Sequence, residues 1–250
     1  MTTFAFKNLV TVAAFIAVGA AHAAPVTIAA GGTYQGLKAS GSGALSFSAD
    51  LLGALDTGKV AVAGYGAATA TVTKDTDGYY IEASASAPIT SLTIDDATNT
   101  VLSAATTGGA TQTSPVLKSV SSGGSLTVTD LNVDLANKKV YANIIGANGV
   151  GTLTNFYLWD IASITGATTV SGPGTFTTSI SGLSITTAGF NTFVQALGLL
   201  SLGKGALATV TDFGTITSTI IATPVPEPST YALMALGLVG MGLAARRRAQ

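Results

Sequence analysis

The stretch SLTVTDLNVDLANKKVYANII at residues 125–145 contains two alternating runs separated by a polar segment. Its first run places Leu131, Val133 and Leu135 at every second position, with polar residues between them. Because successive side chains of a strand point to opposite faces, this alternation predicts a strand with one apolar and one polar face. Residues 136–139 then separate it from a second β-rich run, so the stretch predicts an antiparallel hairpin.

A second hairpin is predicted at residues 70–82, where a Thr/Val run is followed by Asp77-Gly78 and then by a Tyr-Tyr-Ile run. Asp-Gly favours the positive φ angles of a tight primed turn. Other β-rich runs bounded by turn residues are also predicted strands, at residues 45–49, 59–64, 155–161, 175–185 and 207–221.

One short segment has helical periodicity. Four apolar residues lie at i, i+3, i+4 and i+7, which places them on one helical face: Phe190, Phe193, Val194 and Leu197. Thr187 is the predicted N-cap, and Gly198 and the Gly-Lys-Gly stretch 203–205 are the predicted end. We expect this helix to plug one end of a sandwich or to cover a sheet edge.

The composition favours strands throughout. Charged residues make up 9% of the chain, against about 25% in an average soluble domain, and 30 glycines accompany abundant Thr and Val. We predict an all-β protein, with an antiparallel β-sandwich or barrel-like body and one short helix. An N-terminal signal helix and a C-terminal transmembrane helix are expected to flank this body. One body domain is expected, and residues 106–114 are the alternative boundary between two subdomains.

The charge distribution and two missing residue types exclude several functions. Between Ala24 and Val225 there are seven lysines, eleven carboxylates and no arginine, which gives 7 − 11 = −4. Such a surface argues against nucleic acid as a partner. The chain has no cysteine, and its single histidine, His22, falls in the predicted leader. A Ser-His-Asp triad and His or Cys metal sites are therefore excluded from the body.

Two short patterns match catalytic motifs only in part. Ser201 and Lys204 have S-x-x-K spacing, but the S-D-N and K-T-G motifs that accompany it in Ser–Lys enzymes are missing. Residues 198–204 match the start of a phosphate-binding loop, but Gly205 replaces the Ser or Thr that would bind magnesium. A helix C-terminus explains the second pattern better.

The acidic residues give no convergent site. Asp95 and Asp96 are neighbours on a predicted strand, so their side chains should point to opposite faces. Asp75, Asp77 and Glu82 lack the ligand spacing of a calcium loop, and a hairpin turn explains them. We therefore expect no enzyme activity, no cofactor and no metal site. A hydrolase that uses two facing carboxylates is the third alternative, after the structural protein and the binding module.

The N-terminus predicts a secretory signal peptide at residues 1–23. Lys7 precedes the apolar run 9–21, and a small-x-small pattern follows it. Signal peptidase is the implied partner, with the cleavage site formed by Ala21, Ala23 and Ala24.

The C-terminus combines a stiff linker, an uncharged apolar segment and a basic tail. The two prolines in the linker prevent regular structure from continuing through residues 225–230. As a helix, residues 231–245 would span about 22 Å, short of a ~30 Å hydrocarbon core. The predicted anchor residues are Tyr231, Leu236, Gly237, Gly240 and Leu243. The residues expected to stay cytoplasmic by the positive-inside rule are Arg246, Arg247 and Arg248.

In this order, Pro226-Glu227-Pro228, the apolar segment and the arginines resemble the PEP-CTERM sorting signal. The resemblance covers about 25 residues at the end of the chain. It implies that an exosortase recognises Pro226, Glu227 and Pro228, after transient anchoring in the inner membrane. The predicted domains are a signal peptide (1–23), a secreted β-rich domain (24–222) and a sorting and anchor segment (223–250).

The resemblance also implies a destination and a role. It implies export to the cell surface or extracellular matrix, and a structural or adhesive role in biofilm with exopolysaccharide as a partner. The alternative is a β module that binds a glycan or small ligand. Its candidate aromatic residues are Tyr79, Tyr80, Tyr141 and Trp159, and a second aromatic group consists of Phe156, Tyr157 and Trp159.

Overall fold

A computed structural model describes residues 24–226, 233–239 and 241. The body contains thirteen strands: β1 (Pro25–Ala29), β2 (Thr33–Tyr34), β3 (Leu37–Phe47), β4 (Ala61–Tyr65), β5 (Thr69–Lys74), β6 (Tyr80–Asp95), β7 (Thr100–Thr106), β8 (Gly109–Leu117), β9 (Ser121–Asp134), β10 (Lys139–Gly146), β11 (Gly151–Gly166), β12 (Gly174–Ile185) and β13 (Gly214–Pro224). Its helices are α1 (Ala49–Thr57), α2 (Thr187–Ala196) and α3 (Ser201–Ala208).

The strands form one antiparallel sheet that closes on itself. Neighbouring strands run in the order β6-β3-β13-β12-β11-β10-β9, and β7 pairs with both β9 and β6. These eight strands therefore make a closed ring, in which every member has a partner on each side. The predicted antiparallel β-rich body is confirmed, as one continuous barrel-like sheet in place of two separate sheets.

Ring closure depends on a short contact between β7 and β9. Three residue pairs make this contact, and they are Ser103↔Asp134, Ala104↔Val133 and Ala105↔Asn132. The Leu135 N–H extends the contact by donating to the Leu102 carbonyl oxygen at 2.8 Å. On its other edge β7 pairs with the second half of β6, whose first half pairs with β3 and β5. The long strand β6 therefore pairs with four other strands, which are β1, β3, β5 and β7.

Both predicted hairpins are present, as β5–β6 and β9–β10. The first has a longer turn than Asp77-Gly78 predicts, because only Gly78 of that pair has a positive φ angle. The Asp75 carboxylate accepts hydrogen bonds from the Asp77 N–H at 3.0 Å and from the Tyr79 N–H at 2.8 Å. This side chain closes a five-residue turn, so the prediction of a two-residue primed turn is wrong.

The body has three helices where the sequence predicted one. α1 begins directly after Ser48, whose hydroxyl oxygen accepts a hydrogen bond from the Leu51 N–H at 3.1 Å. The predicted strand 45–49 therefore ends at Phe47. A Ser N-cap followed by Leu51 and Leu52 was the available signal for α1, since both leucines are buried.

The predicted helix is present as α2, but Thr186 caps it instead of Thr187. The Thr186 hydroxyl oxygen accepts a hydrogen bond from the Gly189 N–H at 3.0 Å. The stretch 203–205, predicted to end this helix, lies inside α3. Gly203 is buried there, and a Cβ at this position would lie 2.3 Å from the Val120 carbonyl oxygen. Glycine thus permits the close approach of α3 to the turn that precedes β9. The predicted strand 207–221 begins only at Gly214.

The helices supply aromatic and aliphatic side chains to the interior of the ring. Phe193 of α2 packs edge-on against Phe213 with ring centroids 5.9 Å apart, and Trp159 of β11 lies 6.1 Å from Phe213. Leu51 and Leu55 of α1 belong to the same buried cluster. α2 is therefore part of the core.

Asp130 connects three segments of the ring. Its Oδ1 accepts the Gly108 N–H at 2.9 Å, and its Oδ2 accepts the Asn143 Nδ2–H at 3.1 Å. The threonine hydroxyls of residues 107 and 129 also donate to it. Burial raises the pKa of the Asp130 carboxyl, but the hydrogen bonds together lower it below its ordinary value. The carboxylate form therefore stabilises the folded state.

We predict that Asp130→Asn destabilises the protein at neutral pH, by about 1–3 kcal/mol. Asn tolerates the left-handed backbone at this position, where φ is +52°, so the variant tests the charge. Because the folded-state pKa is lowered, the stabilisation is present above the unfolded pKa of about 4 and is lost as the pH falls through the folded value.

The measurement is urea unfolding of wild type and Asp130→Asn from neutral to acidic pH. The difference in unfolding free energy should shrink below about pH 4. Asp77→Asn, at an exposed turn position, is the matched control and should show little difference. A wild-type to Asp130→Asn difference that stays constant with pH would contradict the assignment.

Candidate functional site

The C-terminal segment leaves the body directly from a central strand. β13 pairs with β3 along its whole length, ending at Pro224↔Leu37. One further hydrogen bond follows, in which the Val225 N–H donates to the Gly36 carbonyl oxygen at 2.9 Å. Pro226 has no N–H to continue this ladder and is exposed. The first residue of the predicted sorting motif therefore lies at the point where the sheet ends.

Beyond the motif, residues 233–239 are helical and exposed. The large apolar side chains of this helix are between 57% and 70% exposed: Leu233, Met234, Leu236, Leu238 and Val239. The predicted anchor residues Leu236 and Gly237 lie in this helix. Within the described residues, no helix is long and apolar enough to cross a membrane.

Most residues of the predicted cleavage site, sorting motif, membrane anchor and basic tail lie outside the described part of the chain. Ala24 is its first residue and is exposed. The remaining ones are outside it: Ala21, Ala23, Glu227, Pro228, Tyr231, Gly240, Leu243, Arg246, Arg247 and Arg248.

The structure places the polar residues of the partial motifs and of the acidic pairs on the surface and in turns. Ser201 and Lys204 are both exposed on α3. The Asp95 carboxylate accepts the Ala97 N–H at 2.9 Å and so closes the turn after β6, while Asp96 accepts the Tyr34 hydroxyl at 2.9 Å. Over residues 24–226, 233–239 and 241, no three Asp, Glu, His or Cys side chains lie close enough together to hold a metal ion.

Two of the predicted ligand-binding aromatics are in the core. Trp159 is 2% exposed. Tyr80 is also buried, and its hydroxyl donates to the Val60 carbonyl oxygen at 2.6 Å. Phe156 packs partly buried against the core. The aromatic group of residues 156, 157 and 159 therefore does not form one stacking surface. Strand alternation separates Phe156 from Tyr157, and the register shift between β10 and β11 separates Tyr157 from Trp159.

The aromatic surface that remains consists of Tyr79 and a pair. Tyr79 is exposed in the β5–β6 turn. Tyr141 and Tyr157 lie side by side on β10 and β11, with ring centroids 5.5 Å apart and planes tilted by 38°. Lys139 Nζ lies 4.7 Å from the centroid of the Tyr157 ring. This pair of partly exposed rings is small and is not a concave row.

The Tyr157 phenol is held in its neutral form. Its hydroxyl donates to the Asp160 carboxylate. That hydrogen bond, partial burial and the negative charge of Asp160 raise the pKa of Tyr157 to about 12. The Asp160 carboxylate therefore accepts a hydrogen bond from the Tyr157 hydroxyl at the edge of the aromatic pair.

A larger polar surface covers the outer side of five ring strands, β6, β3, β13, β12 and β11, and continues onto β5, which pairs with β6. One row of paired residues crosses six strands: Thr69, Ser86, Ala44, Thr217, Ser179 and Thr165. Two adjacent rows carry Thr71, Ser84, Ser46 and Thr215, and Ser42, Thr219 and Thr177. All are exposed or half-buried. All but Ala44 carry a hydroxyl, and we call these twelve hydroxyl-bearing residues the hydroxyl face.

The sequence contains a local signal for part of the hydroxyl face. Thr215, Thr217 and Thr219 alternate with buried residues along β13, as Thr177 and Ser179 do along β12. Alternation alone places each set on one side of its strand. Only the strand order brings the sets together into one surface.

We predict that Asp160→Asn lowers the pKa of Tyr157 from about 12 towards the ordinary value of about 10. The carboxylate acceptor and its charge are the main causes of the shift, and the amide removes the charge. The measurement is an NMR titration of ¹³C-labelled tyrosine rings. The ring signals of the exposed Tyr65 serve as the internal reference for folding of the variant. A Tyr157 that already titrates near 10 in wild type would contradict the geometry.

Comparison with known proteins identifies the end of the chain. The model of the PEP-CTERM protein-sorting motif matches residues 224–248. No curated protein and no solved structure matches the chain. The match begins at Pro224, the last residue of β13. The chain thus carries a PEP-CTERM protein-sorting motif, which indicates a protein that is exported and sorted to the outside of the cell by an exosortase.

Proposed function

We propose that the body is a non-enzymatic structural or adhesive component of an exopolysaccharide-associated biofilm matrix. The hydroxyl face is the observation that carries this proposal. It is wide, uncharged and built on a sheet with no free edge inside the ring. Exported matrix polysaccharides present many hydroxyls, so such a surface offers complementary donors and acceptors.

The geometry of the hydroxyl face suits repeated weak contacts. Hydroxyls on neighbouring strands are about 4.8 Å apart, and those at alternate positions along a strand are about 6.7 Å apart. Each hydroxyl both donates and accepts a hydrogen bond. Individual hydrogen bonds to a hydrated polymer are weak, but a chain that contacts several rows binds by avidity. Because no charge is involved, high salt should weaken this binding little.

A second candidate is a glycan- or small-ligand-binding module at Tyr141 and Tyr157. Aromatic faces stack on the apolar faces of sugar rings, and the neighbouring Asp160 supplies a hydrogen-bond acceptor. The tilt of 38° between the rings favours one sugar unit over an extended chain. This site is smaller than the hydroxyl face and supports a narrower specificity.

The proposed route outward has two steps at the inner membrane. Signal peptidase removes residues 1–23, and the exposed apolar helix with the basic tail holds the chain transiently in the membrane. Exosortase then acts at Pro226-Glu227-Pro228. The short connection from β13 to Pro226 would keep the body close to the membrane surface until that step.

We predict that processing at the C-terminus depends on both the motif and the exosortase. Wild type and Glu227→Ala would be expressed in cells with and without exosortase, and the termini of the protein would be determined by mass spectrometry of each fraction. Wild type should lose residues beyond the motif only where exosortase is present, and Glu227→Ala should keep them in both strains. Ser171→Ala, at an exposed loop position in the body, is the control. Identical C-termini of wild type in both strains would reject the sorting route.

We also predict that the hydroxyl face binds exopolysaccharide. The triple variant Thr177→Val, Thr217→Val and Thr219→Val removes three adjacent hydroxyls with little change in shape. Loss of several hydrogen bonds, at about 1 kcal/mol each, should weaken co-sedimentation with purified exopolysaccharide at least about tenfold.

A matched control and the second candidate complete this experiment. Thr152→Val and Thr154→Val change exposed threonines of β11 outside the hydroxyl face and should bind as wild type does. If the triple variant binds normally while Tyr141→Ala with Tyr157→Ala does not, the aromatic site is the binding site and the proposal fails. Circular dichroism would establish that each variant is folded.

A further inference from the structure

Both ends of the described body leave it at the same end of the ring. The first residue of β1 pairs with Asp95, the last residue of β6, so Ala24 lies beside the β6–β7 turn. The last residue of β13 pairs with Leu37, and the Val225 N–H donates to the Gly36 carbonyl oxygen in the β2–β3 turn. The chain therefore enters and leaves the ring beside two turns.

Side chains hold these two turns together. The Tyr34 hydroxyl, next to the β2–β3 turn, lies 2.9 Å from an Asp96 carboxylate oxygen and 2.7 Å from the Asn99 side-chain oxygen. The Gln35 Nε2–H donates to the same Asn99 oxygen at 3.1 Å. The points where the chain enters and leaves the ring are thus fixed next to each other.

Turns and one loop form this end of the ring, and the helices lie at the other. The β11–β12 loop crosses the end, since the Val101 N–H donates to the Thr168 carbonyl oxygen and the Val170 N–H donates to the Asn99 carbonyl oxygen. α1 follows β3, α2 follows β12 and α3 precedes β13, all at the opposite end. We call the end formed by residues 35–36, 96–99, 135–138 and 167–173 the turn end, and the end formed by α1, α2 and α3 the helix end.

The connection between the body and the predicted anchor is short. Residues 226–230 separate Val225 from Tyr231, where the uncharged apolar segment begins. The six steps from Val225 to Tyr231 reach at most about 21 Å in a fully extended chain. At the other terminus, only residues 22–23 separate Ala24 from the apolar run 9–21. A membrane that holds either apolar segment is therefore close to the turn end.

The body is longer than this connection. β13 has 11 residues, and at ~3.4 Å per step it is about 34 Å long. The helices lie beyond its first residue and add a layer about 10 Å thick. An inverted body, with its helix end on the membrane, would need a connection longer than residues 226–230 provide. The length of this connection therefore excludes the inverted orientation.

The two ends also differ in their exposed apolar side chains. Val116, Leu200 and Leu202, near the helix end, are between 42% and 77% exposed. Of the large apolar side chains that are exposed in the described part of the chain, none lies in the four segments of the turn end. A polar surface of this kind can contact hydrated headgroups without inserting into hydrocarbon. Its contact with a membrane depends on the connection, which keeps the effective concentration high.

We propose that the turn end faces the lipid headgroups of the inner membrane, and that the helix end points away from it, while the C-terminal anchor is retained. This inference rests on the proposed function, because it takes residues 231–245 to be held in the membrane. Exosortase then reaches residues 226–228 in the space between the turn end and the headgroup layer. Cleavage there removes the connection, and the polar turn end lets the body leave the membrane.

The absence of cysteine from the chain allows single labels at either end. Ala97→Cys and Ala136→Cys place a donor dye at the turn end, whereas Asn191→Cys and Ala208→Cys place it at the helix end, and all four positions are exposed. Each full-length variant would be reconstituted in vesicles of phosphatidylethanolamine and phosphatidylglycerol with an acceptor dye on the headgroups. Energy transfer should be higher from both turn-end labels than from either helix-end label.

The matched control lengthens the connection and leaves the body and the anchor unchanged. Twenty Gly and Ser residues inserted between Val225 and Pro226 add a flexible chain with a root-mean-square length of about 25 Å. The body can then turn over, so the difference in energy transfer between the two ends should shrink. Circular dichroism would establish that each labelled variant is folded, and the exposed Ser171→Cys replaces a turn-end variant that is not.

Two results would overturn the proposed orientation. One is equal energy transfer from both ends, or higher transfer from the helix end. The other is a difference between the ends that the inserted residues leave unchanged, because the connection would then not set the orientation. A chain that does not float with the vesicles would contradict both the orientation and the membrane anchor of the proposed function. Since the vesicles contain no exosortase, C-terminal processing in cells can fail or succeed independently of this result.

Discussion

Closure of the sheet by β7 is the constraint on which the rest of the molecule depends. β7 has seven residues, yet it joins the second half of β6 to the end of β9. Without it, both strands would present unpaired N–H and C=O groups at those edges. The chain has no cysteine and few charges, so backbone hydrogen bonds and apolar burial must supply the stability. In a closed ring every strand is hydrogen-bonded to a neighbour on both sides, and the side chains that point inward are buried.

Closure also explains why the two sides of the same strands differ so strongly. On β13, Ile216, Ser218 and Ile220 point into the ring, and Thr217 and Thr219 point out of it. The period of two residues along a strand fixes this division. Inward small residues on β6, β7 and β8 leave a small cavity, while outward threonines and serines form the hydroxyl face. One set of strands thus provides two chemically different surfaces.

The described helical part of the sorting segment, residues 233–239, lies outside the packed body. β13 is central in the sheet, and its pairing stops just before Pro226. The apolar side chains of residues 233–239 are exposed and do not contribute to the buried clusters. The packing of the ring therefore does not depend on the side chains of residues 233–239. This arrangement suits a protein whose C-terminal motif acts during sorting and whose body acts outside the cell.

The sequence by itself determined the β-rich class, both hairpins, α2 and the sorting motif, because each depends on neighbours close in the chain. Alternation around Leu131 and Val133 and the spacing from Phe193 to Leu197 are signals of this local kind. The sequence pattern did not predict α1, because its N-cap Ser48 directly follows residues that alternate like a strand. It did not predict α3 either, because glycine usually ends a helix, whereas Gly203 lies inside α3 and allows its contact with Val120.

Only the tertiary structure decided that the strands close into a ring, that Trp159 is buried, and that hydroxyls from six strands meet. Strand order and register bring together residues far apart in the sequence, such as Thr69, Thr217 and Thr165. Local periodicity says which residues share a face of one strand, but pairing between distant strands decides which faces meet.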